Sequence, residues 1–449
     1  MFSGILTKFF YNAIKFADCW KYKMICSKKI IAVSLIALFG ATACASAGVT
    51  SLAPQEYLDW LEELKKEMVE KGISQKTVDR VYEFDYYHPV PDAVKKDRKQ
   101  LEFLLTSNDY LNRVVSKTRV EKGQKNYREL RPILKNIEAN YALPGEYIVA
   151  FWGIETNFGT NFGGHNVIDA LTEMSYDKRR SQFFRKELFQ ALKIVDDWNV
   201  DFTKMQGSWA GAMGHFQFMP STFNTYAVDF NKDGKIDIWS SFEDAAASAA
   251  NYLTTIGWQK DIPWGMEVSL PWNFDFALTG RNKPLVLKKW RHMGVRPMGK
   301  NKFGLADDLP VSIITPEGKK GRAYLITDNF YKIMHWNRSE NYALAVGILS
   351  DYIRSGKKWK KLPDISAQRV KTDDVLKIQA FINKLGWFEL EEDGQLGSKT
   401  RAAIKEVQKK ARLPQDGYPD YQLLRKINNY NSDIGFAIPV PQRKLHKVK

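Results

Sequence analysis

The spacing of apolar residues, helical over most of the chain and strand-like over one stretch, most limits what this sequence can fold into. From Leu52 to about Asn140 the text is charged, with apolar residues recurring every three to four positions, as in Tyr57, Leu58, Leu61, Leu64 and Met68. Pro144 opens another helix, at a position where its missing N–H costs little. That helix runs through Tyr147, Ile148, Phe151 and Ile154 and should end near Gly159. Between Pro263 and Thr327 the period changes. Val311-Ser-Ile-Ile-Thr, Pro316-Glu-Gly and Arg322-Ala-Tyr-Leu-Ile-Thr read as strand, turn, strand. Helix resumes at Asp328 and continues to about Ile353. The pattern predicts a mainly α chain of the α+β kind with a small β subdomain. At 449 residues and 44% apolar content there is material for two or three domains with buried cores.

Beyond the helical text, Ser355-Gly-Lys-Lys-Trp-Lys-Lys-Leu-Pro363 is basic and bounded by Gly and Pro, which marks residues 356–371 as a linker. A small helical unit follows over 372–428. Residues 429–449, with Pro439, Pro441 and a Lys/Arg-rich end, read as a flexible basic tail.

The N-terminus carries an export signal in its pattern. Ile30 to Phe39 is an apolar run preceded by Lys28 and Lys29 and followed by small residues, so residues 1–47 read as a signal peptide. The run is short for a permanent membrane span, and Met24 just before it is an alternative start. Ala45-Ser46-Ala47 before Gly48 suits ordinary cleavage. Ala41-Thr42-Ala43-Cys44 resembles a lipoprotein box, with Ala where Leu is usual; a lipidated Cys44 would tie the protein to the outer membrane. All three cysteines (Cys19, Cys26, Cys44) lie in this leader. The remainder therefore has no disulfide framework and no thiol nucleophile, and it must fold by its core alone.

The formal charge is +16, and the leader's six Lys and one Asp leave +11 beyond residue 47. Such a surface attracts polyanions. An exported chain without a nucleic-acid motif meets cell-wall polymers and anionic lipid, so no nucleic acid is expected as partner.

Glu155 is the leading candidate for chemistry. It follows Ile148, Val149, Phe151, Trp152 and Ile154 near a helix end, where a carboxyl is either a paired structural group or an acid kept protonated by desolvation. Glycoside cleavage needs such an acid, because the leaving oxygen must gain a proton as the bond breaks. In the segment Gly207-Ser-Trp-Ala-Gly-Ala-Met-Gly-His-Phe-Gln-Phe-Met-Pro-Ser221, small residues alternate with aromatics and Met. Tight packing explains Ala210 and Ala212, whereas Ser208 and Gln217 are polar groups in apolar text.

Gly153-Ile-Glu-Thr-Asn-Phe-Gly159, then the 207–221 segment, then Asn329-Phe-Tyr…Trp336-Asn-Arg-Ser…Tyr342-Ala-Leu-Ala-Val346 together resemble the B-type lytic murein transglycosylases over about residues 52–355. The resemblance implies a lysozyme-like catalytic core acting on peptidoglycan glycan strands. It implies Glu155 as the sole catalytic acid/base, with Ser208 and Gln217 lining the sugar groove. Tyr252 and the pair Arg179 and Arg180 match groove positions. Trp336 stands where the family commonly shows Tyr, and sugar stacking is its implied role. No cofactor for catalysis is implied, and a monomer is expected. A muramidase using water would need a second carboxylate, for which Asp169 and Glu173 are near in sequence. A wall-binding scaffold would not need the intact Glu155.

Asp229, Asn231, Asp233 and Asp237 occupy positions 1, 3, 5 and 9 of an EF-hand-like loop, with Gly234 at 6 and the Lys235 carbonyl at 7. Ser240 replaces the usual Glu at 12. The family resemblance implies an enlarged loop with a late carboxylate, for which Glu243 and Asp244 are candidates. A Ca2+ held there would be structural. An Asp/Asn/Gly-rich turn without an ion is the other reading, and Lys232 and Lys235 reduce the local negative charge.

Ile378-Gln-Ala-Phe-Ile…Gly386-Trp-Phe, Asp393-Gly-Gln-Leu-Gly397, Gln408 and Leu413-Pro-Gln-Asp416-Gly417 resemble the small three-helix peptidoglycan-binding domain. Its Asp-Gly turns are expected to cap helices.

Overall fold

The computed structural model describes residues 54–83, 93–94, 106–178, 180–198, 200–299, 302–363, 371–431 and 435–436. The expected leader with Cys44, Arg179, the second half of the expected linker and most of the tail lie outside these residues. From Gln55 onward the chain forms one unit.

Helix α1 (Gln55–Glu70) buries Tyr57, Leu61, Leu64 and Met68, the stripe that the three-to-four spacing marks. Leu58, read with that stripe, is 38% exposed and falls off it. After α2 (Gln75–Val81) come α3 (Ser107–Val114), α4 (Lys117–Glu129) and α5 (Arg131–Tyr141). The last two pack against α6 (Gly145–Thr156), whose residues from Gly145 to Gly153 are all buried. A helix apolar on every side belongs in the middle of a domain. Phe151 is among the largest fully buried side chains, and its removal would cost about 3–5 kcal/mol. Pro144 caps α6 from outside, and the helix stops at Thr156, short of Gly159.

Helices α7 (Val167–Tyr176) and α8 (Ser181–Trp198) pack against each other, followed by α9 (Pro220–Tyr226) and α10 (Phe242–Thr255). Two short strands, β1 (His165–Asn166) and β2 (Gln206–Gly207), pair antiparallel beside α7. Residues 265–326 form the β subdomain. Its strands are β3 (Gly265–Ser269), β4 (Leu285–Val286), β5 (Arg296–Pro297), β6 (Pro310–Ile314) and β7 (Ala323–Ile326). They run antiparallel in the order β4-β6-β7-β3-β5, with α11 (Leu287–His292) over a core that includes Trp290, Leu287 and Ile313. The two strands expected from the sequence are β6 and β7. The pattern did not single out β3, β4 and β5, and two of them are only two residues long.

Helices α12 (Asp328–Trp336) and α13 (Glu340–Ser355) return to the helical core. Gly347 on α13 lets the Trp264 indole lie against the backbone, since a Cβ there would come within 2.2 Å of the ring. The Trp264 amide donates to the Tyr147 hydroxyl at 3.1 Å, and its indole N–H donates to Asp351 at 3.1 Å.

The described part of the expected linker is strapped down. Leu362 exchanges hydrogen bonds with the Asn112 side chain at 2.8 and 3.2 Å, Asn108 donates to the Pro363 carbonyl at 3.2 Å, and the Trp359 indole donates to the Val115 carbonyl. The C-terminal unit is a separate bundle of α14 (Thr372–Lys384), α15 (Ser398–Lys410) and α16 (Tyr421–Asn428) around Ile378, Ile382, Ile404, Val407 and Leu423. Beyond α16, β8 (Tyr430–Asn431) and β9 (Gly435–Phe436) pair antiparallel.

The Asp-Gly turns, expected to cap helices, do not cap them. Gly397 precedes α15 without a side-chain cap, and Asp420 caps α16. Instead each turn is gripped by a buried glutamine. Gln379 donates to Asp393 at 2.9 Å and accepts from the Gly394 amide at 2.8 Å; Gln408 donates to Asp416 at 2.6 Å and accepts from the Gly417 amide at 2.9 Å. The unit docks on the β subdomain. Asp416 accepts the Lys319 amide at 2.9 Å, Arg401 donates to the Pro316 carbonyl at 2.8 Å, and the Lys405 ammonium reaches the Phe276 carbonyl at 3.2 Å and the Thr279 hydroxyl at 3.0 Å.

Candidate active site

Three stretches far apart in sequence meet at the C-terminal end of α6. The helix ends in consecutive left-handed residues, Asn157 (φ 51°), Phe158 (φ 63°) and Gly159 (φ 71°), which turn the chain back on itself directly after Glu155. A non-glycine residue such as Phe158 holds that conformation only when its surroundings fix it. Its buried ring fills the space above Gly153, where a Cβ would come within 2.6 Å, and meets Trp152 edge-on at 5.6 Å. The Lys122 ammonium donates to the Asn157 carbonyl at 3.1 Å, a cation at a helix C-terminus.

Glu155 is half-buried on this last turn. The Tyr342 hydroxyl, on α13 and 3% exposed, donates to one of its carboxylate oxygens. Burial first, and then the Glu155 charge, hold the Tyr342 hydroxyl well above the ordinary tyrosine range, so it stays a proton donor. This bond fixes the rotation of the carboxyl. Tyr342 stood inside the third motif in the sequence, but nothing there linked it to a residue 187 positions away.

The 207–218 stretch folds as a tight turn against the α6 terminus. The Ser208 hydroxyl accepts the amides of Ala210 at 3.2 Å and Ala212 at 3.1 Å. Gln217 takes a left-handed conformation (φ 51°), and its side-chain amide donates to the carbonyls of Phe162 at 3.1 Å and Gly214 at 3.2 Å. Both groove candidates thus shape the turn on which they sit. His215 was missed by the sequence reading and pins this turn to α6. Its Nδ1 accepts the Trp152 indole N–H at 2.9 Å, and its carbonyl accepts the Thr156 hydroxyl at 2.9 Å. Desolvation pushes the imidazole down to about 4, against a smaller upward pull from Asp237. The ring is therefore neutral near pH 7, as an acceptor must be.

Trp336 joins the aromatic side of the site. Its ring lies 4.7 Å from Phe151, 5.1 Å from Tyr252, 5.3 Å from Phe218 and 6.4 Å from Phe216. Tyr252 also meets Tyr226 edge-on at 4.7 Å, and burial raises its hydroxyl above the ordinary value. Glu155, Gln217, Tyr252 and Trp336 are thus built onto one set of contacting elements. Arg180 sits at the start of α8 in a left-handed conformation, its guanidinium 5.0 Å from the rings of both Phe183 and Phe184. Asp169 is buried on α7, where its charge acts on Tyr82.

The expected metal loop is a chain of side-chain-to-amide turns. Asp229 accepts the amides of Asp233 and Gly234, Asn231 that of Asp233, Asp233 that of Lys235, and Asp237 those of Trp239 and Ser240. Asp244, fully buried, clasps the loop by accepting the amides of Phe230 at 2.9 Å, Asn231 at 3.2 Å and Asp237 at 3.2 Å. Glu243, half-buried, precedes it in the first turn of α10. The donor set is all oxygen and of the kind calcium takes. Among the described residues no three acidic, histidine or cysteine side chains are gathered closely enough to hold a metal.

The family described as "Transglycosylase SLT domain" matches residues 56–351, and that described as "Putative peptidoglycan binding domain" matches residues 371–427. The chain is 31% identical over 244 residues to membrane-bound lytic murein transglycosylase B of Escherichia coli (strain K12), covering 53% of this chain and 64% of that protein. It therefore spans less than two thirds of that relative's length. The crystal structure of SltB3 from Pseudomonas aeruginosa in complex with NAG-anhNAM-pentapeptide is similar with a TM-score of 0.77 at 36% identity, covering 83% of this chain and 99% of that one. The Escherichia coli lytic transglycosylase Slt35 in complex with calcium is similar with a TM-score of 0.57 at 26% identity, covering 66% of this chain and 93% of that one.

Proposed function

Because the chain belongs to the transglycosylase SLT domain family, we propose that it is a lytic transglycosylase cutting the β-1,4 bond between MurNAc and GlcNAc in peptidoglycan, with Glu155 as its only general acid/base. The observation that carries this reading is the Glu155 carboxyl, held by the buried Tyr342 hydroxyl at a helix end beside an aromatic wall. Glu155 gives its proton to the bridging oxygen as the glycosidic bond breaks. The 2-acetamido group, or the field of the groove, stabilises the cation left at the anomeric carbon. Glu155, now ionised, takes the proton of the same sugar's 6-hydroxyl as that oxygen closes on the anomeric carbon. The product is a 1,6-anhydroMurNAc end, and no water is consumed. Nucleophile and electrophile share one sugar, so proximity replaces the second carboxylate that ordinary glycosidases use. A bound anhNAM-containing fragment in the similar SltB3 structure fits such a product.

In this reading Gln217 and Ser208 hold the turn that frames the groove, Trp336 and Tyr252 offer faces to the sugars, and Arg179 and Arg180 meet its anionic substituents. The C-terminal unit keeps the enzyme on its insoluble substrate and raises local concentration. Export to the periplasm through residues 1–47, with Cys44 as a lipid attachment point in the alternative processing, follows from the leader pattern. The loop of Asp229, Asn231, Asp233, Lys235 and Asp237, with Glu243 or Asp244 as late carboxylate, would hold a structural Ca2+ outside the chemistry. Its test is a calcium-dependent rise in melting temperature that Asp233→Ala removes.

The decisive experiment is mass spectrometry of muropeptides released from purified sacculi by the protein and by Glu155→Gln. Anhydromuramyl ends from the first and none from the second are expected. Reducing ends would make it a muramidase, and sacculi bound without release would make it a scaffold.

A further inference from the structure

Tyr342 orients the Glu155 carboxyl, and Tyr342 is itself held from outside the helical core. It lies in the first turn of α13, where the Ser339 hydroxyl caps the helix by accepting the Tyr342 amide at 3.2 Å. Only Asn337, Arg338 and Ser339 separate α12 from α13, so the end of one helix and the start of the next form a single corner. Trp336 closes α12 on one side of that corner, and Tyr342 stands just inside α13 on the other. The corner therefore carries both a ring of the aromatic wall and the hydroxyl that bonds Glu155.

The β subdomain grips this corner through one residue, the half-buried Arg281. Its main chain is fastened to strand β6: the Gly280 amide donates to the Ile313 carbonyl at 2.8 Å, and the Ser312 hydroxyl donates to the Arg281 carbonyl at 3.0 Å. The same carbonyl accepts the Tyr331 hydroxyl of α12. The guanidinium then spans the corner. Its Nη1 lies 3.5 Å from the Met334 sulfur of α12, and its Nε lies 3.3 Å from the carboxylate of Glu340, the first residue of α13. The next residue, Asn341, accepts the Ser107 hydroxyl of α3 at 2.6 Å. Glu340, Asn341 and Tyr342 are thus tied in turn to the β subdomain, to α3 and to the acid.

The Arg281 and Glu340 side chains stay 29% and 25% exposed, and an ion pair this open adds little to stability. Its consequence is orientation, because a shift of about 1 Å in a group that aligns the chemistry can slow a reaction about a hundredfold. We propose that Arg281 is a positioning residue for the reaction at Glu155. By bridging α12 to Glu340 it sets the corner so that the Tyr342 hydroxyl meets the carboxyl in the orientation that protonates the glycosidic oxygen. This rests on the reading of Glu155 as the acid, and it gives the β subdomain a part in the chemistry through Tyr342.

The test measures turnover of soluble glycan fragments and amide hydrogen exchange over residues 337–345 in the full-length protein. Arg281→Met should lower kcat about tenfold, leave KM unchanged and speed exchange in that stretch, with the melting temperature nearly unchanged. Glu340→Gln, which spares the contacts of Arg281 with α12, should lower kcat in the same way. Arg281→Glu combined with Glu340→Arg restores the pair in reverse and should recover most of the lost kcat. In a Tyr342→Phe background Arg281→Met should slow turnover no further, because both changes act on one contact. Equal losses in the two backgrounds overturn the proposal, since Arg281 would then act by another route. A loss confined to KM, or exchange that Arg281→Met leaves unaltered, overturns it as well. If the unaltered protein releases no anhydromuramyl ends the reaction reading fails, and the exchange readout still decides whether Arg281 holds the corner.

Discussion

The α6 terminus and the C-terminal bundle both bury polar side chains, and they do so to different ends. In the bundle each buried amide closes on its own turn: Gln379 on Asp393 and Gly394, Gln408 on Asp416 and Gly417. At the α6 terminus three separate stretches meet: His215 bonds to Trp152 and Thr156 on the same last turns of the helix, and Tyr342 donates to the half-exposed Glu155 carboxyl itself. Closed polar networks specify a fold, whereas a network that fixes a group still open to solvent prepares chemistry.

The contrast can be broken most sharply at Glu155. Glu155→Gln keeps the size and the Tyr342 contact but removes the transferable proton, so turnover of sacculi should fall by about a thousandfold or more with the melting temperature nearly unchanged. A variant that retained substantial turnover would end the single-acid reading.

The next effect is on stability. His215 sits at about 4 in the folded protein, against an ordinary value of 6.5. Between these values the unfolded chain binds more protons, so stability falls as pH drops from about 6.5 and the loss is complete near 4. The loss should reach about 3 kcal/mol. Melting curves across this range should flatten in His215→Gln. An unchanged slope would show that other groups carry the acid sensitivity.

Tyr342→Phe removes the hydrogen bond that fixes the rotation of the Glu155 carboxyl and should slow kcat by about 10- to 100-fold with little change in KM. A pure KM effect would mean that Tyr342 shapes the groove and does not position the acid. The smallest effect belongs to the bundle. Gln408→Leu leaves the Gly417 amide unpaired in a buried place and should cost about 1–3 kcal/mol of local stability, read by hydrogen exchange over 398–428. Turnover of soluble glycan fragments should not change; if it did, the two regions would be coupled.

What could be read in the sequence followed from period and local chemistry. The stripe Tyr57, Leu61, Leu64 and Met68, the strand pair around Pro316, the three-helix unit and Glu155 near the end of an apolar helix were all legible. Partners distant in sequence were not. Nothing local marks Tyr342 as the donor to Glu155, or His215 as the acceptor of the Trp152 indole, because each bond joins separate elements. The Asp-Gly turns misled for a similar reason. Asp is a common helix cap, and only the three-dimensional position of Gln379 and Gln408 shows that these turns are gripped from behind. Leu58 misled because an apolar residue beside a stripe need not belong to it.

The segment from Lys357 to Pro363 has one more consequence. A loose basic tether would let an anchored enzyme roam a disc of its substrate, with a reach growing as the square root of tether length. Laced to Asn108, Asn112 and Val115, this stretch has no slack to pay out. The described strap, with Lys405 and Arg401 bolted to the β subdomain, turns a leash into a caliper. In the proposed reading, wherever the small bundle holds the wall, its distance to Glu155 is already set.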